Sequence, residues 1–134
     1  MDFEQISAQY RDTFSTLLAE QTSLLPSVRS VFVATVDGHT IVHQSSQQDD
    51  EQRVSAMAGS LFALSETLTQ ELSCEDCRHI AIQTSTGPIT LVRIPDKTQQ
   101  FVLCAVADNK APLGSLLAWV NGLGKQLATK LDQN

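Results

Sequence analysis

The segment CEDCRH, at residues 74–79, contains the residue types best suited to chemistry in this chain. Cys74 and Cys77 have C-x-x-C spacing, and His79 adds a third side chain that can bind a soft metal ion. A structural zinc site usually has four ligands, brought together as pairs from separate parts of a chain. Cys104 could be the fourth ligand only by leaving a stretch that is typical of a buried strand. A metal sensor at this turn is therefore an alternative that we keep open.

Redox-active dithiols use the same C-x-x-C spacing, but their position in the fold matters as much as the spacing. The reactive cysteine lies at a helix N-terminus, where the local field lowers the pKa of the thiol. Here the motif follows a predicted helix, and the C-terminal end of a helix has the opposite effect. We therefore interpret CEDC as a turn between a helix and a strand.

A second segment, GLGKQ at residues 122–126, resembles part of a phosphate-binding loop. The full pattern G-x-x-x-x-G-K-[ST] needs glycine at position 119 and serine or threonine at position 126. The chain has Trp119 and Gln126 at these positions, and the segment lies inside a predicted helix. The sequence therefore predicts no nucleotide binding by this route.

The histidines and paired carboxylates form no recognisable catalytic pattern. His39, His43 and His79 fall in different parts of the chain, and there is no G-x-S-x-G elbow. The acidic runs Asp49–Glu51 and Glu75–Asp76 lie in predicted loops or caps, where solvent-exposed charge is the ordinary arrangement. We predict that the protein is not an enzyme and uses no cofactor.

The composition restricts the class of partner. The net charge of -6 and the pI near 4.8 argue against nucleic acid or an anionic membrane. The longest apolar run, Phe101–Ala107, is far shorter than the ~18 residues that a spanning helix needs, so we predict no membrane insertion. An odd, small number of cysteines and a polar N-terminus favour a reducing compartment. We expect a cytoplasmic protein with a single domain over residues 1–134.

Hydrophobic periodicity divides the first half of the chain into a helix and a hairpin. Apolar residues three or four positions apart predict a helix over residues 3–25, which Pro26 ends. Two β-branched runs beside Asp37-Gly38 predict strands at 30–36 and 40–45. In the polar tract that follows, Asp49 or Asp50 could cap the next helix.

The second half of the chain repeats this alternation. It contains a helix over 51–73, strands near 78–85, 88–94 and 101–107, and a helix from about residue 112. Because Phe101–Ala107 is apolar on both faces, we place it in the middle of the sheet. The order α-β-β-α-β-β-β-α predicts an α/β fold of the α+β type, with a five-stranded antiparallel sheet and helices on both faces.

The helix predicted over 51–73 lacks a charged side. One side carries the large apolar residues, which we expect to pack on the core; they include Val54, Met57, Ala58, Leu61, Leu64, Leu68 and Leu72. The other side carries small or uncharged residues: Ala56, Gly59, Ser60, Ala63, Thr67 and Gln70.

A side made of small residues can approach a second helix closely. The simplest source of that helix is a second copy of the chain, related by a two-fold axis. The next strand is a natural sheet edge that could pair with its own symmetry mate. The sequence thus predicts a homodimer, with an interface formed by Ala56, Gly59, Ser60, Ala63, Thr67, Ile80 and Ile82.

Three segments, in order, resemble the Roadblock family of dynein light chains and bacterial GTPase regulators. LLPSVRSVFVATVDGHTIVHQS is similar to the opening hairpin of that family, and VSAMAGSLFALSETLTQEL to its central helix. APLGSLLAWVNGLGKQL is similar to its last helix, with Pro112 where the family often has asparagine. The resemblance covers residues 24–131, whereas the loop Gln44–Gln52 and the CEDC turn depart from the family pattern.

The resemblance implies a non-catalytic homodimer whose central helices pack together and whose sheets join across the two-fold axis. It also implies binding to a small Ras-like GTPase, or a scaffold role in motor and signalling complexes. Tryptophan is enriched at binding hot spots, so Trp119 is a candidate anchor for the partner, with a core-edge tryptophan as the alternative. A small-ligand sensor that uses the cleft between sheet and helices is the other function that we keep open.

Overall fold

Three helices and five strands alternate along the chain in the predicted order. The computed structural model describes residues 3–45 and 50–133. In this part of the chain the elements are α1 (Phe3–Ser23), β1 (Val28–Thr35), β2 (Thr40–Ser45), α2 (Glu51–Glu71), β3 (His79–Thr84), β4 (Gly87–Arg93), β5 (Phe101–Ala107) and α3 (Leu113–Asp132).

The five strands form one antiparallel sheet with the order β2-β1-β5-β4-β3. The apolar strand β5 occupies the centre, as its sequence predicted, and is buried at nearly every position. The two edge strands are β2 and β3. The predicted fold class is confirmed.

The Asp37-Gly38 turn joins β1 to β2 as predicted. Gly38 has a φ of +97°, which a residue with a side chain rarely adopts. The Thr35 hydroxyl bonds to the Asp37 carboxylate and accepts the His39 N–H at 3.0 Å. The side chain of Thr35 therefore holds the tip of the hairpin together.

Two hydrophobic layers lie on opposite faces of the sheet. Because side chains alternate along a strand, Val31 and Val33 of β1 join one layer, whereas Phe32 joins the other. The first layer is covered by α1 and α3, and includes Phe14, Leu18, Leu103, Leu116 and Leu127. The second, smaller layer lies under α2 and includes Ala34, Ala58, Phe62, Leu91, Val102 and Cys104.

The cap of α2 was also predicted. The Asp50 carboxylate accepts the Arg53 N–H at 3.1 Å, which satisfies one of the free donors of the first turn. Asp49, the other candidate, lies outside the described residues. Among the described helices, none is both long and apolar enough to cross a bilayer.

Candidate functional site

The side of α2 that faces the sheet consists of three small residues and Phe62, and contains none of its leucines. The buried residues of this helix are Ser55, Ala58, Gly59 and Phe62. A Cβ added at Gly59 would lie 2.9 Å from the Val36 carbonyl oxygen and 3.1 Å from the Gly38 nitrogen. The Ser55 and Thr40 hydroxyls also bond at 2.6 Å. The helix can therefore approach the β1–β2 turn only where its own side chains are small.

This packing corrects the expected direction of the large apolar side. Met57, Leu64, Leu68 and Leu72 are between 58% and 67% exposed in the single chain. Val54 and Leu61 are partly buried at the border of the second layer, and Ala58 alone of this set is fully buried there. The expectation that this stripe packs on the core of its own chain was wrong, because the hairpin tip lies too close to the helix axis for leucine.

An apolar groove runs between α2 and the half of the sheet that this helix leaves open. The helix lies mainly over β1, β2 and β5, so β4 and β3 have less cover on this face. The groove has a volume of about 630 Å³. We define it by its lining residues: Arg53, Val54, Ala56, Met57, Ala58, Ser60, Leu61, Leu64, Ile82, Ile89 and Leu91. Arg53 is the one charged residue of the lining.

Strand β3 borders this groove as a bare sheet edge. It pairs with β4 in a regular register from His79 to Thr84, without a bulge. Most of its side chains are exposed, including Ile82. It contains no lysine, proline or acidic residue that would discourage the pairing of another strand. The edge is therefore open to a further strand.

The structure distributes the residues of the predicted interface over several places. Ala56, Ser60 and Ile82 line the apolar groove. Ile80 is half-buried against the second layer. Ala63 and Thr67 are exposed on α2 outside the groove lining. Gly59 is buried against the hairpin of its own chain, so it offers no surface to a second copy.

An ion pair closes the second layer next to the groove, and sequence reasoning missed it. The Arg93 Nη2 lies 3.1 Å from the Glu66 Oε1, and the guanidinium carbon lies 5.4 Å from the centre of the Phe62 ring. Both side chains are more than two-thirds buried. No short-range pattern could have revealed it, because 27 positions separate the two residues.

The cysteines of the CEDC turn do not form a metal centre in the described part of the chain. No group of three or more His, Cys, Asp or Glu side chains there is arranged to hold a metal ion. The Cys77 thiol instead donates to the His79 carbonyl oxygen at 3.5 Å, and Cys74 is exposed. Partial burial, helped by the Glu66 carboxylate, raises the pKa of the Cys77 thiol, which is the opposite of what a reactive dithiol needs.

The other candidate side chains have structural partners. The His43 ring stacks on Phe32 with centroids 5.7 Å apart, and its Nδ1 lies 3.5 Å from the Glu51 carboxylate. Trp119 is half-buried and packs on the first layer, on the α1 and α3 face of the sheet. Because the apolar groove lies on the other face, Trp119 is not part of it.

The comparisons with known proteins agree with this geometry. The model of the Roadblock/LC7 domain matches residues 14–107. The chain therefore belongs to the Roadblock/LC7 domain family. No curated protein sequence matches it significantly.

Solved structures resemble the chain at low sequence identity, and these include the following three. Myxococcus xanthus MglB has a TM-score of 0.81 and 13% identity, over 91% of this chain and 97% of that one. A structure described as MglB with a tetrameric arrangement has a TM-score of 0.81 and 15% identity, over 93% and 92%. A Roadblock/LC7 domain from Streptomyces avermitilis has a TM-score of 0.75 and 16% identity, over 86% and 94%. At these identities, the likeness establishes the fold.

Proposed function

We propose that the protein is a non-catalytic homodimer that regulates, or acts as a scaffold for, a small Ras-like GTPase. The observation that carries this proposal is the apolar groove beside the bare β3 edge, in a chain of the Roadblock/LC7 family. Large apolar surfaces that remain exposed on a single chain usually mark interaction sites.

A second copy of the chain is the occupant that we propose for the groove. The same side of α2 both lines the groove and carries exposed Met57 and Leu64. Around a two-fold axis, each helix would insert these side chains into the other chain's groove, over Ile82 and Ile89. Such a surface is self-complementary, as a symmetric dimer interface must be. The MglB structure with a tetrameric arrangement is a relative in fold whose description includes self-association.

The same axis would bring two β3 strands together. Their pairing would join two five-stranded sheets and satisfy the free N–H and C=O groups of both edges. The proposed interface thus retains Ala56, Ser60, Ile80 and Ile82 of the predicted set. It omits Gly59, Ala63 and Thr67, and adds the exposed Met57 and Leu64 and the partly buried Leu61.

The exposed positions Ala63 and Thr67 of α2 would remain outside this dimer, and they mark the surface that we propose for the GTPase. Ala63 and Thr67 lie there, on the part of the helix that neither the sheet nor the groove uses. Two such surfaces, side by side on the helix pair, would form one broad platform. The GTPase itself is proposed from the family resemblance, and we expect no nucleotide hydrolysis by the protein alone.

The experiment is capture of partners by the tagged protein from a lysate of its source organism. One sample contains a non-hydrolysable GTP analogue and the other contains GDP, and mass spectrometry identifies the bound proteins. We expect a Ras-like GTPase enriched with the analogue. Ala63→Arg should lose that protein while remaining a dimer. Absence of any small GTPase from both samples would contradict the regulatory role.

A further inference from the structure

A second concave surface lies at the end of the sheet where β4 ends and β3 begins, on the side that faces α3. Its volume is about 370 Å³, within the range of ~300–1,000 Å³ that is typical of small-molecule sites. We call it the basic cleft and define it by its lining residues: Asp76, Cys77, Arg78, Val92, Arg93, Pro95, Gln99, Asn121, Gly124 and Lys125. The residues of the apolar groove do not contribute to it.

The basic cleft is positively charged, although the chain as a whole is acidic. Arg78 and Lys125 contribute two cationic side chains to it, against the single carboxylate of Asp76, in a chain of net charge -6. The Arg93 charge is balanced by Glu66 at 3.1 Å. Arg78 and Lys125 form no ion pair within 3–45 and 50–133. Because burial keeps the Cys77 thiol protonated by raising its pKa, that residue adds no negative charge.

Gly124 lies in the wall of the basic cleft, where α3 packs on the sheet. Glycine inside a helix destabilises it by roughly 1 kcal/mol relative to alanine. A Cβ at position 124 would meet only ordinary contacts, with the nearest atom, Val92 Cγ2, at 3.8 Å. The packing of the chain therefore does not require glycine here. Gly124 is buried, and a methyl group here would contact Val92, Leu103 and Pro95 of the same chain.

We propose that the basic cleft binds a small organic anion. The phosphate or carboxylate group would lie beside Arg78 and Lys125, and the body of the molecule against Val92 and the bare backbone at Gly124. The amide side chains of Asn121 and Gln99 provide further donors and acceptors at the rim. This site is separate from the proposed dimer and GTPase surfaces, and it does not depend on either.

The test is titration of the ¹⁵N-labelled protein, followed by its amide NMR signals. The probes are AMP as an organic phosphate and succinate as a carboxylate, with adenosine as the uncharged control. We expect saturable shifts at Arg78, Gly124 and Lys125 with AMP, succinate or both, and none with adenosine. The comparison of AMP with succinate identifies the preferred anionic group.

Two pairs of variants distinguish binding at the basic cleft from general effects of charge and of folding stability. Lys125→Gln should weaken binding roughly tenfold, as expected for the loss of one charge-assisted contact, whereas Lys110→Gln, on the exposed loop before α3, should leave it unchanged. Gly124→Ala should raise the melting temperature but weaken binding. Gly122→Ala, which faces open space, should raise the melting temperature to a similar degree and leave binding unchanged.

Three results would overturn the proposal. One is the lack of saturable shifts at the basic cleft with both anions, and another is equal binding of AMP and adenosine. The third is that a tetraglutamate peptide binds whereas neither small anion does. That result would make the cleft a docking site for an acidic protein segment. Unchanged affinity in Gly124→Ala would remove the role assigned to that glycine.

Discussion

Gly59 decides how closely α2 lies on the β1–β2 hairpin. Its Cα faces backbone atoms of Val36 and Gly38, which cannot move aside as a flexible side chain can. A methyl group at this position would have to push the helix outward and disturb the contact of Phe62 with the second layer. The close approach is therefore a property of one residue, with consequences for the whole helix.

Gly59→Ala should destabilise the fold by about 1–3 kcal/mol, since overpacking outweighs the better helix propensity of alanine. Urea unfolding at one fixed protein concentration measures this change. Gly114→Ala is the matched control, because no atom lies within 4 Å of its added Cβ, and it should be neutral or slightly stabilising. Equal stability of Gly59→Ala and the wild type would show that the hairpin can move to accommodate the methyl group, and would contradict this prediction.

The buried thiol of Cys104 should make the fold less stable at alkaline pH. Burial raises the pKa of its thiol from 9.0 to about 12. The unfolded chain loses this proton near pH 9, whereas the folded chain keeps it. The contribution to stability is therefore complete below pH 9 and is lost as the pH rises towards 12.

Between about pH 8 and about pH 10.5, the wild type should lose about 2 kcal/mol more unfolding free energy than Cys104→Ala. Both proteins contain the other groups that titrate in this range, so the contributions of those groups cancel in the difference between the two losses. The cavity in Cys104→Ala costs the same free energy at both pH values, so it cancels as well. Urea unfolding curves at the two pH values give the answer. The same loss in both proteins would mean that the thiol ionises freely in the folded state.

At the scale of the element, α2 presents three surfaces with different uses. Its buried side is made of small residues and Phe62, and its apolar groove side carries exposed Met57 and Leu64. Ala63, next to Leu64 in the chain, lies outside the groove lining. Substitutions at these two adjacent, exposed positions can therefore distinguish which side of α2 forms the dimer.

Leu64→Glu should convert the dimer to a monomer, because it places a charge in the proposed interface without touching the core of the single chain. Size-exclusion chromatography with light scattering should show the mass falling towards 14.6 kDa. Ala63→Glu should keep the dimeric mass. The reverse pattern, with a monomeric Ala63→Glu and a dimeric Leu64→Glu, would place the interface at Ala63 and Thr67, two positions of the interface that the sequence predicted.

For the molecule as a whole, dimerisation and folding should be linked. The single chain leaves one face of β3 and β4 with little cover, so association would complete the second layer. Dilution should then lower the melting temperature of the wild type by mass action, by about 2–3 °C for a tenfold change. The melting temperature of Leu64→Glu should not depend on concentration. A wild-type melting temperature that is independent of concentration would contradict the linkage.

The sequence alone determined the order of the elements, the Asp37-Gly38 hairpin, the central position of Phe101–Ala107 and a helix cap at Asp49 or Asp50. These features follow from signals that span only a few residues: hydrophobic period, turn chemistry and capping. They do not depend on distant parts of the chain, so they can be derived before the fold is known.

The tertiary structure alone decided which side of α2 faces the sheet. Hydrophobicity favoured the leucines, but the available space favoured Ser55, Ala58 and Gly59, because the hairpin tip comes within van der Waals distance of the helix backbone. The Arg93–Glu66 pair and the basic cleft are decided in the same way, by elements that are far apart in sequence. Distances between such elements are not encoded in any local pattern, and here they determine which residues remain available for a partner.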